Sequence, residues 1–141
     1  MYKNYLFDLY GTLVDINTNE WKTYLWSKMA ELYAFEGADY TPMQLKKAYG
    51  VQVEKEKQAV AKNHPNFTDI DIRIEKVFED LLKNKGVEPP ADFGKYTAKA
   101  FRAISTKYIK LYDGVIDLLD SLKRAGKNVY LLTNAQRWFT A

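Results

Sequence analysis

Two short stretches carry residue types that could do chemistry: Phe7-Asp8-Leu9-Tyr10-Gly11-Thr12-Leu13-Val14-Asp15 near the start, and Leu131-Leu132-Thr133-Asn134-Ala135 near the end. In each, an apolar run gives way to a carboxylate, a hydroxyl or an amide. A carboxylate that leaves a buried strand into a glycine turn is held rigidly and partly desolvated, which suits Asp8 to nucleophilic attack on phosphorus or carbon. The N–H groups of the turn, with Thr133 and Asn134 as further donors, could hold an anionic oxygen while charge develops on it. The same residues also read as local structure, with Asp8 capping the turn and Thr133 capping the helix that follows. Spacing alone leaves both readings open.

For the chemical reading to hold, the two stretches must end side by side. Residues 3–11 predict a short buried strand ending in a turn, and residues 128–134 predict a second strand of parallel type. Open α/β sheets place their chemistry at the carboxyl ends of such strands, where Asp8, Thr12, Thr133 and Asn134 would converge. Ahead of the second strand, Val115, Leu118, Leu119 and Leu122 recur at helical spacing. Asp113 can cap that helix, Lys123 and Arg124 suit its negative end, and Gly126 suits the position just past it.

Residues from about 18 to 110 predict helix almost throughout, in about four segments. Trp21, Leu25, Met29, Leu32 and Tyr33 form one stripe; Ile70, Ile74, Val77, Phe78, Leu81 and Leu82 form a cleaner one. Thr41-Pro42-Met43-Gln44 is a capping box with proline at the first helical position, opening a helix rich in lysine and glutamate. Breaks fall at 37–39, 64–66 and 86–90. The expected fold class is α/β: a parallel-sheet core over 1–17 and 111–141, with an all-helical insertion over 18–110.

Composition narrows the function classes. A chain of 141 residues, 47% hydrophobic and 28% charged, can bury a core and is not disordered. A net charge of +3, spread along the chain, excludes a dedicated nucleic-acid binder. The absence of cysteine excludes disulfides, thiolate metal sites and thiol catalysis. With no run of about 18 apolar residues and no basic-then-apolar leader, no membrane partner is expected and the chain reads as cytoplasmic. His64, beside Pro65 and with no second histidine, reads as a surface residue. Lys55, Lys57 and Lys62, interleaved with Glu54 and Glu56, read as a solvated helix face. Trp21, Tyr24, Trp26 and Tyr33 read as core, with pocket lining as the other reading. Asp15 either orients the first loop or faces solvent, and receives no catalytic role.

The first stretch resembles the opening signature of the haloacid dehalogenase superfamily, hydrophobic-Asp-x-x-Gly-Thr-Leu-x-Asp. The second is similar to its next signature, an apolar strand ending in Ser/Thr-Asn, and Tyr112-Asp113-Gly114-Val115 resembles the segment that re-enters the core. The resemblance implies a Rossmannoid core with an inserted helical cap domain, and hydrolysis of a small molecule through a covalent aspartyl intermediate on Asp8. It implies that Thr12 positions the loop and that Thr133 and Asn134 bind the transferring group. In the family's phosphatases Mg²⁺ lies between the nucleophile, the backbone carbonyl two residues on (here Tyr10) and a later acidic residue; the dehalogenase branch uses no metal.

Two departures qualify the resemblance. Position 10 is tyrosine, where the phosphatases mostly carry an aspartate that serves the leaving group. Tyrosine there is similar to the branch that removes halide from 2-haloacids, but that branch also uses an arginine early in its cap domain. The arginines here are Arg73, Arg102, Arg124 and Arg137, none at that place. Phosphate esters are the expected substrates, with carbon–halogen bonds as the alternative. The family's later lysine and acidic pair would lie downstream of Ala141, so the chain reads as the N-terminal part of a longer protein, with Thr140 as the cap of a further helix. Sheet edges left open would then favour a homo-oligomer or strand exchange. A rival expectation is a non-catalytic remnant serving as an interaction module.

Overall fold

In the computed structural model, which describes residues 2–66, 68 and 70–140, the elements alternate between short strands and helices. In chain order they are β1 (Asn4–Phe7), β2 (Val14–Thr18), α1 (Thr23–Phe35), α2 (Pro42–Asn63), α3 (Ile74–Lys83), α4 (Phe93–Ser105), β3 (Thr106–Leu111), α5 (Val115–Arg124), β4 (Asn128–Leu131) and α6 (Arg137–Thr140). They form two compact units. Met1–Asn19 with Thr106–Ala135 make an α/β unit, and Glu20–Ser105 with Gln136–Ala141 make a helical one.

In the α/β unit, β1 and β4 pair in parallel from Asn4↔Asn128 to Phe7↔Leu131, as the two apolar runs predict. The α5 helix packs against β4. Tyr5, Phe7 and Val129 are half-buried, whereas the register partners Leu6 and Tyr130 lie exposed at 62% and 52%. Helix α5 ends as expected: Gly126 follows the last turn, donating to the Lys123 carbonyl, while the Lys127 N–H reaches the Leu122 carbonyl. Its start differs. Gly114, in the left-handed region, is the N-cap and no side chain caps the helix, so Asp113 stands one residue too early to do so.

A second sheet was not foreseen. β2 and β3 pair antiparallel from Val14↔Leu111, with an irregularity between Asn17 and Thr18. Strand therefore occupies Thr106–Leu111, where helix was expected. Thr106-Lys107-Tyr108-Ile109-Lys110-Leu111 carries β-branched and aromatic residues at Thr106, Tyr108 and Ile109, but it follows α4 with no turn residue between. Its partner lies some 93 residues away, beyond any local window.

The helical unit holds the larger core. Leu25, Met29 and Tyr33 of α1 meet Val77, Phe78, Leu81 and Leu82 of α3 and Phe101 of α4. Removing a ring such as that of Phe101 would cost about 3–5 kcal/mol. The predicted α3 stripe lies buried from Ile74 to Leu82, and the Thr41–Gln44 capping box forms in both directions. Two phenols bridge to α3 backbone: Tyr33 donates to the Phe78 carbonyl and Tyr40 to the Leu81 carbonyl, each at 2.8 Å.

Three expectations are corrected here. Glu56 is not on a solvated face; it is 5% exposed and pairs with Lys76 of α3 at 2.5 Å, in a network with Asp80 and Gln52. Helix periodicity put it one step from solvent, but α3 covers that step. Trp21 precedes α1 and stays 78% exposed, and Tyr24 is also exposed, while Trp26 and Tyr33 are core. Thr140, read as the cap of a further helix, itself stands inside one. It ends α6 and donates to the Arg137 carbonyl, while Trp138 and Phe139 pack against the helical core; Ala141 lies outside the described residues.

Burial pushes the phenols of Tyr33 and Tyr49 up, and the hydrogen bond that Lys76 donates to Glu56 raises its ammonium above the ordinary value. Each group holds its proton more tightly folded than unfolded. The stability this provides is complete below about pH 10 and is lost as pH rises through the folded values. Urea unfolding at neutral pH and near pH 11 should therefore show a fall on the alkaline side. Tyr33→Phe should be weaker by about 1 kcal/mol at neutral pH, where it loses its hydrogen bond, and should show a smaller alkaline fall.

Candidate active site

Asp8 is the first residue past β1, and it is exposed. The chain then wraps around one oxygen. The Leu9 carbonyl accepts the N–H groups of Thr12, Leu13 and Val14 at 3.3, 2.9 and 2.9 Å, and the Gly11 N–H donates to the Val14 carbonyl at 2.8 Å. A turn this tight needs a residue at positive φ, which Gly11 supplies at 81°. Leu13 anchors the loop: its side chain is buried, and its carbonyl accepts the Tyr112 N–H at 3.1 Å.

Within this loop the Thr12 hydroxyl donates to Asp8 Oδ2 at 3.3 Å. That bond restrains the carboxylate and engages one of its oxygens. Among the described residues no donor engages Oδ1, which leaves it to attack a substrate. The Tyr10 side chain is half-buried, and its backbone bridges to Val14 in the same loop.

The parallel ladder brings the second stretch to this end of the sheet. The Leu132 N–H donates to the Phe7 carbonyl at 2.8 Å, continuing the register so that Leu132 stands beside Asp8 and Thr133 follows. Thr133 Oγ accepts the Ala135 N–H at 3.2 Å in a local turn. Accepting there leaves the hydroxyl proton for another oxygen. Asn134 is exposed and brings an amide N–H₂. The structure thus joins Asp8 to Thr12 by a hydrogen bond and sets Thr133 and Asn134 on the adjoining strand end.

Two oxygens here could face a cation, the Asp8 carboxylate and the Tyr10 carbonyl. Mg²⁺ takes about six oxygens in near-octahedral geometry. Among the described residues no group of three or more acidic or histidine side chains gathers. These residues do not by themselves fit a protein-held cation, and no chemical step is derived through one.

Sequence reasoning missed the surroundings of Asp15. It lies on β2 opposite Lys110, pairs with that ammonium at 3.7 Å, and accepts the Tyr108 hydroxyl at 3.5 Å. It fastens the ribbon that continues from the loop. The signal available was the alternation of Val14 and Ile16 set against Ile109 and Leu111, legible only once both strands are known to pair.

A family model described as a haloacid dehalogenase-like hydrolase matches residues 2–140. Comparison with curated proteins gave no match. The loop around Leu9 lies within the matched span and can be tested without a substrate. Gly11→Ala forces a side chain into the left-handed region and should destabilise the α/β unit by about 1–2 kcal/mol. Hydrogen exchange at the Leu13 and Val14 amides should quicken, and unchanged protection there would show that the loop does not depend on this residue.

Proposed function

Because the chain belongs to the haloacid dehalogenase-like hydrolases, we propose that it hydrolyses a small molecule through a covalent intermediate on Asp8, with phosphate esters as substrates. The observation that carries this reading is the restrained carboxylate: Asp8 sits past a strand end, held through Oδ2 by Thr12, beside the strand that leads into Thr133 and Asn134. Glu20–Ser105 of the helical unit, inserted in sequence between the two halves of the α/β unit, is read as the family's cap domain.

The chemistry follows from these groups. Asp8 Oδ1 attacks phosphorus in line, the bond from phosphorus to the leaving oxygen breaks, and the leaving alkoxide takes its proton from water. The Thr133 hydroxyl and the Asn134 amide donate to the non-bridging oxygens as charge builds on them. Water then attacks the phosphorus of the aspartyl phosphate, releasing inorganic phosphate and restoring the carboxylate.

Tyr10 favours a second reading. It stands where the family's phosphatases mostly carry an aspartate that serves the leaving group, so the site suits leaving groups that need no proton. Halide is one. In that reading Asp8 attacks carbon, halide departs with the bonding pair, and water cleaves the resulting ester at the Asp8 carbonyl carbon.

Both readings are tested together by single-turnover reactions in oxygen-18 water, with p-nitrophenyl phosphate and 2-chloropropanoate, with and without Mg²⁺. Label in released phosphate supports the ester reading; label in the Asp8 carboxylate with halide release supports the second. Asp8→Asn should lower turnover by about 10³-fold or more. Full turnover by that variant would overturn both.

A further inference from the structure

The helical unit contains a groove of about 850 Å³ that the catalytic reading does not use. Its size lies within the range of roughly 300–1,000 Å³ typical of small-ligand sites. One wall is the outer stripe of α2, where Met43, Lys46, Lys47, Gly50, Val51 and Glu54 recur at spacings of three and four. The other is Trp21, in the segment leading into α1, with Trp26 in the first turn of α1 itself, and Tyr49 completes the aromatic surface.

Three observations point to a ligand. First, Trp21 and Met43 are 78% and 82% exposed although the unit has a closed core to receive side chains of this kind. Trp26 beneath them is fixed, its indole N–H donating to the Glu20 carbonyl at 2.8 Å. Second, the charges are unbalanced. Of the two lining acids, Glu20 pairs with Arg102 at 3.5 Å and Glu54 with Lys57 at 3.1 Å, both cations outside the groove. Lys46, Lys47 and Lys55 have no carboxylate partner among the described residues. Lys46 lies instead over the Trp21 ring at 4.5 Å from its centroid. Third, Gly50 sits in the interior of a 22-residue helix, where glycine weakens the helix. A Cβ added there would meet nothing within 4 Å, so no packing inside the fold demands the glycine. It keeps the groove floor clear.

We propose that this groove binds a small amphipathic anion: a flat aromatic body lying on Gly50 against Trp21 and the outer edges of the packed Trp26 and Tyr49 rings, with one carboxylate, sulfonate or phosphate-type group on Lys46 and Lys47. The apolar surface supplies the burial, and the unpaired ammonium groups supply the selection for negative charge. The assignment is independent of Asp8.

The test uses the full chain and 2-naphthalenesulfonate, a probe that no hydrolase of esters or carbon–halogen bonds consumes, followed by NMR at the tryptophan indole N–H groups. Saturable shifts are expected at Trp21 and Trp26 and not at Trp138. Lys46→Glu should weaken binding by about tenfold, and the uncharged 2-naphthylmethanol should bind more weakly than the sulfonate. Gly50→Leu should raise the thermal midpoint while abolishing binding, a combination that a structural role for the glycine would not produce. Absence of saturable shifts, or equal binding of sulfonate and alcohol unaffected by Lys46→Glu, overturns the proposal. So would movement of the same indole signals with protein concentration alone, which would give the groove to a second copy of the chain.

Discussion

The parallel ladder between β1 and β4 is the constraint on which the candidate site depends. Its strands are only four residues each, and their side chains Asn4 and Asn128, bonded at 2.8 Å, lie 124 residues apart in sequence. At the other end, the bond from Leu132 to the Phe7 carbonyl decides which residues meet. A slip of one residue would turn Asp8 to the opposite face and move Thr133 out of step with it. The chemistry therefore depends on register, and the register is held by backbone bonds at both ends, with the amide pair added at one of them.

The two units meet the demands of burial differently. The helical unit surrounds Tyr33, Phe78 and Phe101 with aliphatic side chains and stacks Tyr49 on Phe78 at 5.7 Å. Two of its polar interior groups are bridged, Glu56 by Lys76 and the Tyr33 hydroxyl by a carbonyl. In the α/β unit only Leu13 and Val115 are buried apolar residues among those described. Its cohesion rests on ladders and on the loop centred on the Leu9 carbonyl. Leu6 and Tyr130, side by side on the open face, are the apolar surface a parallel pair normally covers.

Much of this was legible because the signals were local. The capping box at Thr41, the α3 stripe, the breaks between helices and the glycine after α5 each lie within a few residues of what they control. The parallel strands were legible from their apolar runs, and Asp8 with Thr12 from a signature that the family match over residues 2–140 supports. What escaped was set by distant partners. The β2–β3 ribbon needs both strands at once, Glu56 is buried only because α3 lies across it, and Trp21 sits in a helical stripe yet precedes the helix. The groove escaped for the same reason: the α2 stripe looks like a solvated face until the aromatic residues from the preceding segment stand opposite it.

The ion pair between Glu20 and Arg102 has a consequence for how the chain reaches this structure. Forming either sheet directly from an open chain means closing a loop of about ninety residues or more, at an entropic cost that grows with the logarithm of loop length. The helical unit is built mainly from neighbouring helices and can form early. When it does, Glu20 at its start and Arg102 near its end are drawn together at 3.5 Å, and Trp26 holds the Glu20 backbone in place. The large loop then becomes a short one. β2 and β3 flank those residues, so loop-closure entropy favours forming the ribbon after the helices rather than before them.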